Sequence, residues 1–178
     1  IIGGEPTMHP DIVRIIREAG SQGFRVNMSS NGDDIGSLEM ISKTGAEVSI
    51  GISINDRRTL DHCSAFIRKR RPVVKTVFSP NMAPGMIDDI LALKPEKLYL
   101  IYRDALDLND LHAVVPFHQF TETVRRQFDP GNVGTVFCSG FIPDVGNYPE
   151  LGAVRCPAGT TKLGVMPDGS VYPCNLFF

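Results

Sequence analysis

The sequence predicts an α/β fold of consecutive parallel βα units followed by a small C-terminal β-hairpin. Three observations predict it. Short β-branched apolar runs recur with a step of roughly 24 residues, about the length of one βα unit. Between these runs, apolar residues repeat at helical spacing. Beyond residue 130 glycine and proline become frequent, and two short apolar runs flank an Asp-Gly turn.

Residues 24–29 read as a strand, as do 48–54, where Val48, Ile50, Ile52 and Ile54 alternate. Residues 73–78 and 97–102 continue the series, 133–137 add another strand, and Ile1-Ile2 reads as the end of an earlier one. Helices fall between them. Ile12, Ile15, Ile16 and Ala19 form one stripe, with Pro10 at its start and Gly20 and Gly23 at its end. Ile35, Leu38 and Ile41 form the next, behind Asp33 and Asp34 and ahead of Gly45. Leu60, Cys63 and Ile67 make a third. Pro84 opens a helix carrying Ile87, Ile90 and Leu91, and Phe117, Phe120, Val124 and Phe128 mark a longer one. This divides the chain into a βα region at 1–129 and a β extension at 130–178. The pattern fits an open doubly wound sheet and a closed barrel equally. In both, ligands sit at the carboxyl ends of the strands. That rule singles out Gly3-Gly4-Glu5-Pro6, Ser29-Ser30-Asn31-Gly32, Asn55-Asp56 and Ser79-Pro80-Asn81.

Composition narrows the function classes. With 178 residues, 42% hydrophobic and 21% charged, the chain has enough apolar content for a packed core. A net charge of -2 gives no electrostatic case for a nucleic-acid or membrane partner. No stretch approaches the roughly 20 apolar residues of a membrane span, and no secretory pattern opens the chain. The expectation is a cytoplasmic protein whose opening residues continue a strand. Its four cysteines, Cys63, Cys138, Cys156 and Cys174, are then thiols or metal ligands and not a disulfide framework.

Gly3-Gly4-Glu5-Pro6 sits between a strand end and a helix. Two glycines let a ligand approach the backbone and reach dihedrals closed to other residues. Glu5 adds an acceptor for an ammonium group. Pro6 is expected to hold the following chain extended. The plainer reading is a tight βα turn. The run Gly3-Gly4-Glu5-Pro6-Thr7-Met8-His9-Pro10 resembles the second-strand motif of radical S-adenosylmethionine (SAM) enzymes. In that family it binds the amino group of the methionyl part of SAM. About one βα unit later, Ser29-Ser30-Asn31-Gly32 resembles the family's next strand end. Ser53-Ile54-Asn55-Asp56 is similar to the Ser-x-Asp of its fourth strand, with Asn55 in place of the acid. The resemblance implies a partial (βα)6 TIM-like barrel of parallel strands with a small C-terminal β-hairpin extension. It also implies SAM contacts from Gly3, Gly4, Glu5, Pro6, Ser29, Asn31, Ser53 and Asn55.

Near the C-terminus, Cys156 and Cys174 flank a predicted hairpin whose turn holds Gly169, in the spacing Cys-x12-Gly-x4-Cys. Folding the hairpin brings the two toward each other. Two thiolates complete neither an iron–sulfur cluster nor a zinc site, and two buried thiols are the plainer alternative. Pro167-Asp168-Gly169-Ser170-Val171-Tyr172-Pro173-Cys174 resembles the opening of the SPASM or twitch extension of the same family. That resemblance implies metal ligation by Cys156 and Cys174 in an auxiliary 4Fe–4S cluster. Cys138 is a further candidate ligand.

Radical SAM chemistry uses a 4Fe–4S cluster held by Cys-x3-Cys-x2-Cys, and this chain contains no such triplet. The resemblance therefore implies an oxidoreductase core that cleaves SAM reductively, with its cluster ligands outside this chain, an external electron donor, and a peptide or small-molecule substrate. The chain alone is expected to be inactive and offers no catalytic residue of its own. Two other readings stand beside it: a non-catalytic SAM- or metal-binding βα module, and an unrelated βα domain holding a phosphate or small metabolite at Gly3-Gly4. Phosphate loops add a Gly-Lys-Ser or a longer glycine run, and neither is present. His9 reads as a turn or cap residue, while His62, His112 and His118 lack partners at ligand spacing. Arg68-Lys69-Arg70-Arg71 reads as a solvated helix end. Cys63 reads as core, and Tyr99 and Tyr102 as strand packing.

Overall fold

Strands form where β-branched and apolar residues alternate: β1 (Val26–Ser30), β2 (Val48–Ser53), β3 (Val73–Phe78), β4 (Lys97–Tyr102) and β5 (Val133–Val136). In this computed structural model, residues 1, 3–79, 82–103, 114–137 and 158–174 are described. The five strands make one parallel sheet in the order β1-β2-β3-β4-β5. A doubly wound sheet reverses its strand order part-way, whereas an unreversed order is that of a barrel wall. The sheet is thus a segment of a TIM-like α/β fold. Ile1 extends it: its N–H donates to Asn27 O, and its carbonyl accepts from Ser29 N at 3.1 Å, the pair of bonds of a parallel bridge.

Five helices alternate with the strands: α1 (Ile12–Ser21), α2 (Ile35–Ile41), α3 (Arg57–Arg70), α4 (Met86–Ala92) and α5 (Phe117–Gln127). Their starts follow local capping chemistry. The Asp34 carboxylate accepts from Ser37 N at 2.9 Å, and Asp56 accepts from Thr59 N at 2.8 Å. Arg68, Lys69 and Arg70 close α3, where cations favour the helix dipole. Glu39 of α2 accepts from Arg70 and Lys69, at 2.6 and 2.9 Å, and ties the two helices together.

Strand alternation divides the residues between two faces. One face buries Met28, Ile50, Ile52, Val74, Leu98 and Leu100 with Ile16, Leu38, Ile67, Ile90 and Phe120 of the helices. Tyr102 joins that core, with ring centroids 5.1 Å from Phe117 and 5.3 Å from Phe120. The opposite, inner face carries Asn27, Ser29, Ser49, Ser53, Lys75 and Tyr99. It is the more polar face, and the buried side chains of the described helices pack on the other one.

The chain divides into two compact units, residues 1–136 and 137–178. The first therefore runs past the expected boundary at 129, because β5 pairs with β4 from Leu98↔Val133 to Ile101↔Val136. In the second unit, β6 (Gly164–Val165) and β7 (Val171–Tyr172) form the expected antiparallel hairpin. Gly169 sits at its turn with φ 85°, a conformation that favours glycine.

Candidate functional site

The strand ends are joined through Glu5. Its Oε1 accepts from Thr7 N at 3.1 Å, Thr7 Oγ1 at 2.7 Å and Ser30 Oγ at 2.9 Å, while Oε2 accepts from Asn31 N at 2.6 Å. Burial pushes the Glu5 carboxyl up. The Asn31 N–H, the hydroxyl and N–H of Thr7 and the Ser30 hydroxyl outweigh it and hold the pKa below the ordinary glutamate value. Most of the acceptor capacity of Glu5 thus goes to fixing the Gly-Gly-Glu-Pro turn against the end of β1. One lone pair of Oε2 remains for a donor from outside the protein.

Pro6 departs from expectation. Glu5 ahead of it is extended, as a residue before proline prefers, but Pro6 opens a one-turn 3-10 helix, Pro6–Met8, capped by the Glu5 side chain. Proline suits that first helical position because its missing N–H has no partner to lose. Pro6 and Thr7 are buried, so Pro6 shapes the turn and offers a ligand little surface. Gly3 and Gly4 are exposed, with φ 90° and 55°, and a Cβ on either would meet nothing within 4 Å. Their glycine character therefore serves backbone conformation and access and not internal packing.

The second strand end is equally ordered. Asn31 Oδ1 accepts from Asp33 N at 2.9 Å, and its Nδ2 donates to Asp33 Oδ2 at 2.7 Å. Gly32 follows with φ 82°, its N–H donating to Ser30 Oγ at 3.0 Å. A Cβ on Gly32 would lie 2.5 Å from Cys63 Sγ, so the turn rests directly on α3. Burial, then the nearby Asp33, pushes the Cys63 thiol up to about 11, and Cys63 is core as expected.

At the end of β2, Asn55 Oδ1 accepts from Val77 N at 2.9 Å, joining β2 to β3. The Ser53 hydroxyl makes no hydrogen bond to a described residue and stands half-buried on the inner face. Ser29 shares that face, and its Oγ accepts from Lys75 Nζ at 2.6 Å. The sequence reading missed Lys75, and placed Ser30 only within the strand-end run, not as a partner of Glu5. A charged residue inside the apolar run Val73-Val74-Lys75-Thr76-Val77 was the available signal, since alternation puts Lys75 on the face opposite Val74. His9 acts as a turn residue, its Nδ1 accepting from Asp11 N at 3.1 Å.

Among the described residues, no group of three or more His, Cys, Asp and Glu is placed to hold a metal ion. Cys156, Cys138 and His112 lie outside the described residues. Cys174 is buried, and Gly159 N donates to Pro173 O at 3.1 Å, beside it in sequence. No described helix is long and apolar enough to cross a membrane.

No family profile and no curated protein matches the chain. Solved structures do. Streptococcus suis SuiB bound to S-adenosylmethionine superposes with a TM-score of 0.69 at 15% identity, over 99% of this chain and 48% of that one. The chain shares its fold with SuiB. A second SuiB structure, bound to precursor peptide SuiA, gives a TM-score of 0.67 at 18% identity, covering 97% of this chain and 47% of SuiB. The chain thus spans about half the length of the structures it matches. At the level of fold, the SuiB likeness bears out the resemblance read from the strand-end motifs.

Proposed function

We propose that this chain is the SAM-binding core of a radical SAM enzyme acting on a peptide or small molecule. The observation that carries the reading is the ordered set of strand ends: exposed Gly3-Gly4, Glu5 bonded to Ser30 and Asn31, and Ser29 and Ser53 on the inner face. In a parallel α/β sheet this edge is where ligands bind. The sharing of the fold with SuiB, which has been seen with SAM and with a precursor peptide, supports a SAM ligand and favours a peptide substrate.

In this reading Gly3 and Gly4 offer backbone groups to the methionyl end of SAM, and Glu5 offers its remaining lone pair to the ammonium. Ser53, with Asn55 and Asn31 beside it, offers hydrogen bonds to the ribose or carboxylate. Pro6 sets the turn. SAM held there, given an electron from an external donor through a 4Fe–4S cluster, would supply hydrogen-abstracting chemistry by reductive cleavage to methionine and a 5′-deoxyadenosyl group. Cys156 and Cys174 hold an auxiliary 4Fe–4S cluster with ligands from elsewhere. A cytoplasmic location accords with oxygen-sensitive clusters.

The test is the full-length protein reconstituted with iron and sulfide without oxygen, then reduced in the presence of SAM. We expect 5′-deoxyadenosine from it and none from the 178-residue chain alone. SAM binding without 5′-deoxyadenosine would favour the non-catalytic module. Failure to bind SAM would overturn both.

A further inference from the structure

Alternation along β3, β4 and β5 sets Val77, Ile101 and Val136 on the inner face, two residues beyond Lys75, Tyr99 and Gly134. The register puts the three in one row, Val77 against Ile101 and Ile101 against Val136. Val77 and Ile101 are half-buried, and Val136 is 41% exposed. The carboxyl ends of the strands, where ligands bind, are therefore divided on this face. Ser53 and Asn55 stand on the β2 side, and the apolar row crosses β3 to β5.

Gly134 comes two residues before Val136 on the same face. Its φ lies outside the left-handed region, so the backbone does not require glycine there. A Cβ on it would instead lie 2.7 Å from Tyr99 Cε1 and 2.8 Å from Cδ1. Glycine inside a strand marks a close approach, and here the Tyr99 ring makes it. The ring lies toward β5, in the space a side chain would fill, with Lys97 Nζ 5.7 Å from its centroid. Its hydroxyl makes no hydrogen bond to a described residue, although the hydroxyl of a buried tyrosine ordinarily finds a partner. An apolar row beside a phenol with a free donor and acceptor suits a group that carries hydrocarbon next to an amide.

We propose that Tyr99, seated on Gly134, and the row Val77, Ile101 and Val136 form a subsite for an apolar side chain of a peptide, with the phenol bonding the adjoining peptide group. This rests on the reading of a peptide substrate given above and adds which side chain the site selects. In that reading SAM is held from the β1 and β2 side, which leaves β3 to β5 for the substrate.

NMR titrations of the full-length protein with the N-acetyl methylamides of leucine, alanine and asparagine test the subsite. Wild type should bind the leucine ligand about fivefold or more tightly than the other two. Val136→Asn, a change at an exposed position, should remove that preference. Tyr99→Phe keeps the ring and loses the hydroxyl, so it should weaken all three ligands alike, about three- to tenfold. Gly134→Ala puts a methyl where the ring lies and should weaken them in the same way. SAM titrated against these variants should keep its wild-type affinity, and melting curves check that each is folded. The proposal is overturned if wild type shows no preference for leucine, if Val136→Asn retains it, or if folded Tyr99→Phe binds all three ligands like wild type. It is also overturned if the variants weaken SAM and not the peptide ligands, the result expected of a nucleoside on the row. Should wild type fail to bind SAM at all, the SAM reading falls, while the three peptide ligands still decide the subsite.

Discussion

Glu5 Oε2 accepts the Asn31 N–H at 2.6 Å, joining two turns 26 positions apart in sequence. With Ser30 and Thr7 on Oε1, this one carboxylate fixes the relative position of the Gly3-Gly4 backbone and the end of β1. Glu5→Gln leaves one oxygen for Thr7 and Ser30 but turns an amide N–H₂ toward the Asn31 N–H. The expected cost is about 1–3 kcal/mol in urea unfolding, as for a charge-assisted hydrogen bond lost from a part-buried site. The folded-state pKa of Glu5 is depressed, so its contribution is complete above the ordinary glutamate value and fades as pH falls through the folded one. A Glu5→Gln protein should show a shallower loss of stability over that acidic window.

Gly32 and Cys63 form the second testable contact. Gly32→Ala puts a methyl 2.5 Å from Cys63 Sγ and 3.1 Å from Ile52 Cγ2, at a φ of 82° that a side chain rarely adopts. Overpacking and backbone strain each cost about 1–3 kcal/mol. Adding Cys63→Ala removes the sulfur clash but not the strain. The double mutant should therefore recover part of the loss in a denaturation cycle, and strict additivity would refute direct contact. With its pKa near 11, the native Cys63 thiol should resist iodoacetamide at neutral pH and react only on unfolding.

Glu39 gives the clearest acid response. The Arg70 and Lys69 hydrogen bonds lower its pKa from 4.5 to about 2. Because the folded value is the lower one, the α2–α3 tie is fully present above pH 4.5 and is lost as pH falls toward about 2. Glu39→Gln should lower stability modestly at pH 8, where the tie is intact, flatten the profile between those values, and converge with wild type near pH 2. Melting temperatures measured from pH 2 to 8 check this.

The sheet was legible because Val48, Ile50, Ile52 and Ile54 carry the period of a strand, and the helices because apolar stripes ended at Asp caps and glycines. Three features escaped. Pro6 read as a breaker of regular structure, yet proline at a first helical position starts a turn as readily as it stops one, and only the Glu5 cap decides between the two. The choice between barrel and doubly wound order depends on strand neighbours, which local patterns do not encode. Lys75 lay hidden for a similar reason: its meaning depends on Ser29 and Gly51, which belong to other strands.

Ser53 and Asn55 test the site itself, because the structure gives them opposite duties. The Ser53 hydroxyl has no hydrogen bond to a described residue, so Ser53→Ala should leave stability within about 0.5 kcal/mol of wild type. If that hydroxyl meets SAM, the same variant loses one neutral hydrogen bond to ligand, roughly five- to tenfold in affinity. Asn55 Oδ1 instead holds Val77 N at 2.9 Å. Asn55→Ala frees a strand N–H at the β2–β3 junction and should lower stability by about 1 kcal/mol. Thermal melts paired with SAM titrations separate these outcomes. A Ser53→Ala protein with unchanged SAM affinity would remove Ser53 from the site, whereas an Asn55→Ala protein that melts like wild type would show that Val77 finds another acceptor.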